Sequence, residues 1–365
     1  MKQDLANELL STIMDWESKD VEEYRERLED IAELKYDRYQ QYRPGGRFLE
    51  NLTIWLNQFD ELAEKKVAFD FLLQRLIFIS PDELNHLVGM VFPDIIKLIL
   101  KEESRKIQKE EELELSIEDK LVLLEVLRNE SLFLGLSDGA RIDVFRRLTS
   151  ELNHEQICLS YEIPDSKYDD IMEAIIKQID SMKLGEELKR IASPPSIRNI
   201  FLLDDFSASG ISFIRQEKDD NGNKIWKGKI SKLIKSFKGN GFNLSTIKVV
   251  IILYAATDSA ITHIKDNLSE YNQENEIAMD FDVRAIQIVQ PYQLSTKENA
   301  LFKKYFDDCI IDSHYKKGKH EKPFLGFDEC GLPIVLYHNT PNNSFPIIWS
   351  TDNALFPRVT RHKDV

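Results

Sequence analysis

Two neighbouring carboxylates at the end of an apolar run, followed by a bend of hydroxyls, are the residues of this chain best suited to chemistry. Residues 199–213 read Asn-Ile-Phe-Leu-Leu-Asp-Asp-Phe-Ser-Ala-Ser-Gly-Ile-Ser-Phe. An apolar strand thus ends in Asp204 and Asp205 above a small, serine-rich loop. Such a loop can hold an anion through consecutive backbone N–H groups and hydroxyls at a helix start. The carboxylates can accept hydrogen bonds from a sugar diol or help position a metal ion. The same residues would also make a plain strand-to-helix turn, with an aspartate capping the helix and serines satisfying its first amides. The βαβ context behind the loop favours the ligand site.

That context begins at Ala192-Ser193-Pro194-Pro195-Ser196, a stiff connector whose prolines stop the preceding helix. Alternating strand and helix signals follow: a strand at 199–204, the loop leading into a short helix, and a hairpin closed by the Asn-Gly turn within 218–224. Next come a helix near 228–238, a strand at 247–254, a helix near 257–271, a strand near 281–290 and a helix near 296–307. Strands separated by helices of this size imply right-handed crossovers and a largely parallel sheet, with ligands outside the carboxyl ends of the strands.

Residues 1–192 read as helical nearly throughout, with apolar stripes near 5–15, 20–41, 46–58, 61–78, 81–100, 116–130, 138–152 and 165–190. The charged run 101–114 reads as a solvated helix end or linker. The fold expected is an α/β parallel sheet preceded by a large all-α region. Its divisions are a helical region at 1–192, an α/β core at 193–310 and a short-strand and loop extension at 311–365.

The chain has 365 residues, 42% of them apolar and 30% charged, with a net charge of -15. So acidic a protein repels nucleic acid and anionic membranes, which makes both poor partners by bulk charge. Three distant cysteines, Cys158, Cys309 and Cys330, have no metal-ligand spacing and form no closed disulfide framework. With no secretory h-region and no apolar run long enough to cross a bilayer, a reduced cytoplasmic protein is the simplest expectation. No metal site made of protein ligands alone is expected.

Two other segments could carry chemistry. His338-Asn339-Thr340-Pro341-Asn342-Asn343 offers amides and a ring suited to a nucleobase edge or a substrate carbonyl, or forms a rigid loop that satisfies its own backbone. Ser137-Asp138-Gly139-Ala140-Arg141-Ile142-Asp143 reads mainly as a helix start, although Arg141, Arg146 and Arg147 give it a basic face.

The segment at 199–212 resembles the phosphoribosyl diphosphate-binding motif of the type I phosphoribosyltransferases. That motif is an apolar strand, two acidic residues, three variable positions and Thr-Gly-x-Thr. Here the variable positions are Phe206, Ser207 and Ala208, and Ser209-Gly210-Ile211-Ser212 follows with both threonines replaced by serine. The resemblance implies that Asp204 and Asp205 contact the ribose hydroxyls as the catalytic pair. It also implies that Ser207, Ala208, Ser209, Gly210, Ile211 and Ser212 bind the 5′-phosphate, while His338 and Asn339 are offered as further substrate contacts by their own side chains. Magnesium would arrive with the substrate's diphosphate. Such transferases carry a diphosphate loop after an earlier strand; 155–163 is a candidate strand or helix start but lacks that loop's small residues.

Over most of its length the chain resembles a divergent branch of phosphoribosyltransferase-like proteins associated with bacterial conflict, or anti-phage, systems. The stretches Arg43-Pro44-Gly45-Gly46-Arg47-Phe48 and Tyr337-His338-Asn339-Thr340-Pro341-Asn342-Asn343 carry that likeness. It implies a defence effector that binds Mg-phosphoribosyl diphosphate or a related nucleotide and transfers or hydrolyses at the anomeric carbon. The alternative expectation is a non-catalytic nucleotide sensor whose helical half engages a partner protein.

Overall fold

The computed structural model describes residues 3–359, apart from 161–162, 164, 240–241, 243 and 312–314. Among these, nine strands run in chain order: β1 (Ile77–Ile79), β2 (Ser131–Gly135), β3 (Ile157–Cys158), β4 (Asn199–Ser207), β5 (Arg215–Lys218), β6 (Lys224–Lys227), β7 (Lys248–Ala256), β8 (Asp280–Ile288) and β9 (Ile334–Leu336). Contacts gather the chain into two compact units: Leu84–Val289, and the residues up to Glu83 together with those from Gln290 onward. These units run differently along the chain from the divisions drawn at 192 and 310, because segments far apart in sequence pair within one of them.

In the discontinuous unit, helices Gln3–Met14, Ser18–Leu34, Phe48–Asn57 and Leu62–Arg75 precede β1, which pairs in parallel with β9. Aromatic side chains fill its core. Trp55, Phe59, Phe71, Phe302 and Phe345 are all fully buried, and the Trp55 indole donates to the Ile347 carbonyl at 2.8 Å. Tyr39 meets Thr340 through its hydroxyl and donates to the Pro357 carbonyl. The C-terminal segment is thus built into the same core as the N-terminal helices.

The continuous unit holds a five-stranded sheet in the order β3-β2-β4-β7-β8, with every neighbouring pair parallel. Its central strands are apolar on both faces, as a sheet covered by helices on both sides requires: Ile200 to Leu203 and Val249 to Ala256 are inaccessible to solvent. Rings of Phe133 and Phe201 stack across β2 and β4 at 5.2 Å. After β2 the chain steps outward to β3; after β4 it steps the other way, to β7 and β8. The direction reverses between β2 and β4, which places the ligand crevice of such a sheet outside their carboxyl ends. The antiparallel β5–β6 hairpin, closed by the turn at 219–223, matches the one expected from the Asn-Gly dipeptide.

Two strands, β1 and β2, fall inside the stretch read as helical nearly throughout, and this corrects that reading; a third, β3, lies within 155–163, where a strand or a helix start is expected. Each is two to five residues long, and so short an apolar run has no periodicity that separates it from a helical turn. The helix read at 81–100 is also broken, into Pro81–Met90, a π-helical segment Val91–Ile96 and Lys97–Glu110. Pro93, which lacks a backbone donor, lies inside the π segment.

At the amino ends of β2 and β4, Glu130 is completely buried. It accepts from the Arg198 guanidinium at 2.5 Å and from the Ser196 amide at 3.2 Å. Burial pushes its carboxyl up to about 6 from 4.5, against the pull of Arg198. The folded state therefore holds this proton where the unfolded chain has lost it, and the stability contributed by protonated Glu130 drains away as pH rises from about 4.5 to about 6. The difference amounts to roughly 2 kcal/mol at about 1.4 kcal/mol per unit. Chemical unfolding of the wild type and Glu130→Gln across that window should show the falling component in the wild type alone; parallel curves would assign the carboxyl an ordinary affinity for protons.

Candidate functional site

The strand expected to stop at Asp204 continues to Ser207, with Phe206 opposite Ala255 and Ser207 opposite Ala256 on β7. The two carboxylates therefore project from one strand end in opposite senses. Their environments differ accordingly.

Asp204 is buried, with its side chain 1% exposed. One oxygen accepts from the Ser137 hydroxyl and the other from the Lys229 ammonium. Burial drives its carboxyl upward, while Lys229 and the Ser137 hydroxyl favour the charged form. Asp204 is thus held in an internal ion pair, where the resemblance implies a contact with ribose hydroxyls. Asp205 is the part-exposed member of the pair. Its Oδ1 accepts the Phe206 amide at 2.8 Å, and its carboxylate lies against Gly139, where a Cβ would stand 2.2 Å from Oδ2.

Gly139 belongs to the turn that follows β2. That turn is anchored at the Leu136 amide, which donates to the Leu203 carbonyl at 2.9 Å, at Ser137 on Asp204, and at the Ala140 carbonyl, which accepts from the Tyr254 hydroxyl. Burial and the charges of Asp204 and Asp205 hold that phenol well above its ordinary value. Arg141 closes the turn in the left-handed conformation at φ +44°, caps helix Ile142–Leu148 and pairs with Asp143 at 3.5 Å. Residues 136–141 therefore stand against Asp204 and Asp205 at the switch point between β2 and β4. By its residue types alone this segment reads mainly as a helix start, and the residues at 155–163 lack the small side chains of a diphosphate loop. The usable signal was Ser131-Leu132-Phe133-Leu134-Gly135 running into Leu136-Ser137-Asp138-Gly139-Ala140, an apolar run into small polar residues like that at 199–212.

The serine loop is fixed from within and from behind. Ser207 Oγ accepts the Gly210 amide at 3.2 Å, and Ser209 Oγ faces the Ile211 amide at 3.5 Å. Thr257, which caps helix Asp258–Glu274, donates to the Ala208 carbonyl at 2.5 Å. Ala208 and Ile211 are buried, Ser209 is part-exposed and Ser212 exposed. Among the described residues the amides of Ala208, Ser209 and Ser212 donate to no acceptor. A bend with uncommitted N–H groups is a shape that can accept an anion. No helix begins here, contrary to expectation. The chain turns into the β5–β6 hairpin and the next helix starts at Lys229, so no helix dipole stands behind the loop.

Gly210 adopts φ +75°, and a Cβ there would lie 2.8 Å from the Ala260 carbonyl oxygen. Close approach of helix Asp258–Glu274 and the left-handed backbone both demand glycine. Gly210→Ala should cost about 1–3 kcal/mol of stability, read as a lowered urea midpoint; an unchanged midpoint would show that the loop relaxes freely.

His338 and Asn339 lie in the discontinuous unit. The Asn339 amide accepts from the Thr340 and Val359 backbones at 3.0 and 3.1 Å and donates to the Val359 carbonyl at 3.3 Å. Its side chain thus staples its own loop to the tail. His338 packs edge-on against Tyr337 at 5.0 Å, and its carbonyl accepts from Gln41 at 2.6 Å.

No helix among the described residues is long and apolar enough to cross a membrane. A family model, PRTase-CE, matches residues 52–358 of the chain. No curated protein and no solved structure matches it.

Proposed function

The chain belongs to the PRTase-CE family, a phosphoribosyltransferase-like protein over most of its length, and from that premise we propose that the crevice between β2 and β4 binds Mg-phosphoribosyl diphosphate or a related nucleotide. The observation that carries this reading is the bend at 207–212, with three amides that donate to nothing among the described residues beside a part-exposed carboxylate. Phosphate and ribose would be gripped side by side. The loop amides and the hydroxyls of Ser209 and Ser212 take the 5′-phosphate, and Asp205 accepts from the ribose diol. The turn at 136–141 stands where a diphosphate would leave, and magnesium carried by that diphosphate would neutralise the departing charge. Transfer or hydrolysis at the anomeric carbon then depends on positioning rather than on a side-chain nucleophile. A role as an effector in bacterial anti-phage defence rests on the stretches 43–48 and 337–343.

Calorimetry with magnesium and phosphoribosyl diphosphate should show binding by the wild type and at least tenfold weaker binding by Asp205→Asn; equal affinities would end this reading. One observation favours a second reading, nucleotide sensing without turnover: Asp204 is already committed to Lys229 and Ser137. Release of diphosphate over a long incubation distinguishes the two.

A further inference from the structure

A buried carboxylate needs a counter-charge, and at this site the chain supplies its own. Lys229 reaches Asp204 Oδ2, and its ammonium also lies 4.9 Å from the centre of the Phe213 ring. Its backbone amide donates to the Ser212 carbonyl at 3.1 Å, so the residue that neutralises Asp204 is bonded directly to the phosphate loop. Its side chain remains 21% exposed. An ammonium has three donors, and among the described residues Asp204 is the hydrogen-bond partner of this one.

We propose that Lys229 is the fixed counter-cation of the sugar-phosphate site, taking at Asp204 the place a divalent cation would take at a pair of open carboxylates. The inference rests on the reading of the crevice given above. Asp204, Asp205 and Lys229 together carry one negative charge instead of two, which lowers the repulsion felt by an incoming phosphate. The remaining ammonium donors attract the same group. A sugar phosphate is then held by Asp205, the serine loop and Lys229 with no metal on the acids, while magnesium carried by a diphosphate is unaffected.

Ribose 5-phosphate isolates this property, because it has the diol and the monophosphate but no diphosphate to bring a metal. Titrated into the full chain, it should bind the wild type within twofold in EDTA and in magnesium. Lys229→Met should bind at least tenfold more weakly in EDTA and recover part of that loss in magnesium, as the cation enters beside the exposed charge of Asp204. Because this variant orphans a buried carboxylate, the Lys229→Met, Asp204→Asn double variant is measured beside it, with folding checked by thermal melting. It should bind at least tenfold more weakly with or without magnesium. Wild-type binding that requires magnesium, or a double variant that binds like the wild type, would overturn the role of Lys229. A wild type that binds neither ribose 5-phosphate nor phosphoribosyl diphosphate would instead overturn the site itself, and this role with it.

Discussion

Asp204→Ala is expected to destabilise the sheet unit by about 3–5 kcal/mol, the usual consequence of removing one partner from a buried ion pair. The carboxylate is 1% exposed and anchors two groups from different parts of the chain, Lys229 at a helix start and Ser137 in the turn after β2. Without it Lys229, its side chain four-fifths buried, loses its counter-charge and the Ser137 hydroxyl its acceptor. Asp205→Ala removes a part-exposed group and should cost less than about 1 kcal/mol. Urea unfolding followed to the midpoint at constant slope measures both. Equal losses for the two aspartates would show that the pair is not divided into a structural and a ligand-facing member.

Gly139→Ala should do the opposite, sparing stability and removing ligand affinity. A Cβ at this position would stand 2.2 Å from Asp205 Oδ2 and 2.6 Å from Cγ, so one of the two must move. Asp205 meets it with a carboxylate at the tip of a side chain, which can rotate away at a cost of about 1 kcal/mol. Rotation takes Asp205 off the direction in which it would meet a ribose diol. Affinity for phosphoribosyl diphosphate should fall at least tenfold while the urea midpoint stays near that of the wild type. Unchanged affinity would mean that Asp205 does not touch the ligand, and would weaken the assignment of the crevice along with the role of Gly139.

The strand–helix alternation after residue 193, the hairpin at the Asn-Gly turn and the acidic pair that follows the apolar run of β4 were legible in the chain, because long apolar runs and turn dipeptides are local signals. β2 was not. Ser131–Gly135 is five buried residues, too few for a period, and only pairing with β3 and β4 makes it a strand. With β2 hidden, the turn after it could not be recognised as the wall facing Asp205. The helix expected after the serine loop also failed to form there, since β5 and β6 intervene and its start is deferred to Lys229.

What the sequence determined by itself was the chemistry on offer: two carboxylates, a hydroxyl-rich bend and a glycine, at the end of an apolar strand. Which carboxylate is buried and which is left part-exposed was decided by tertiary structure alone. Successive residues of a strand face opposite sides, and the side that received Asp204 also received Lys229, 25 residues onward, and Ser137, 67 residues back. Contacts across such distances depend on the order in which strands enter the sheet, a property that no local pattern of residue types encodes.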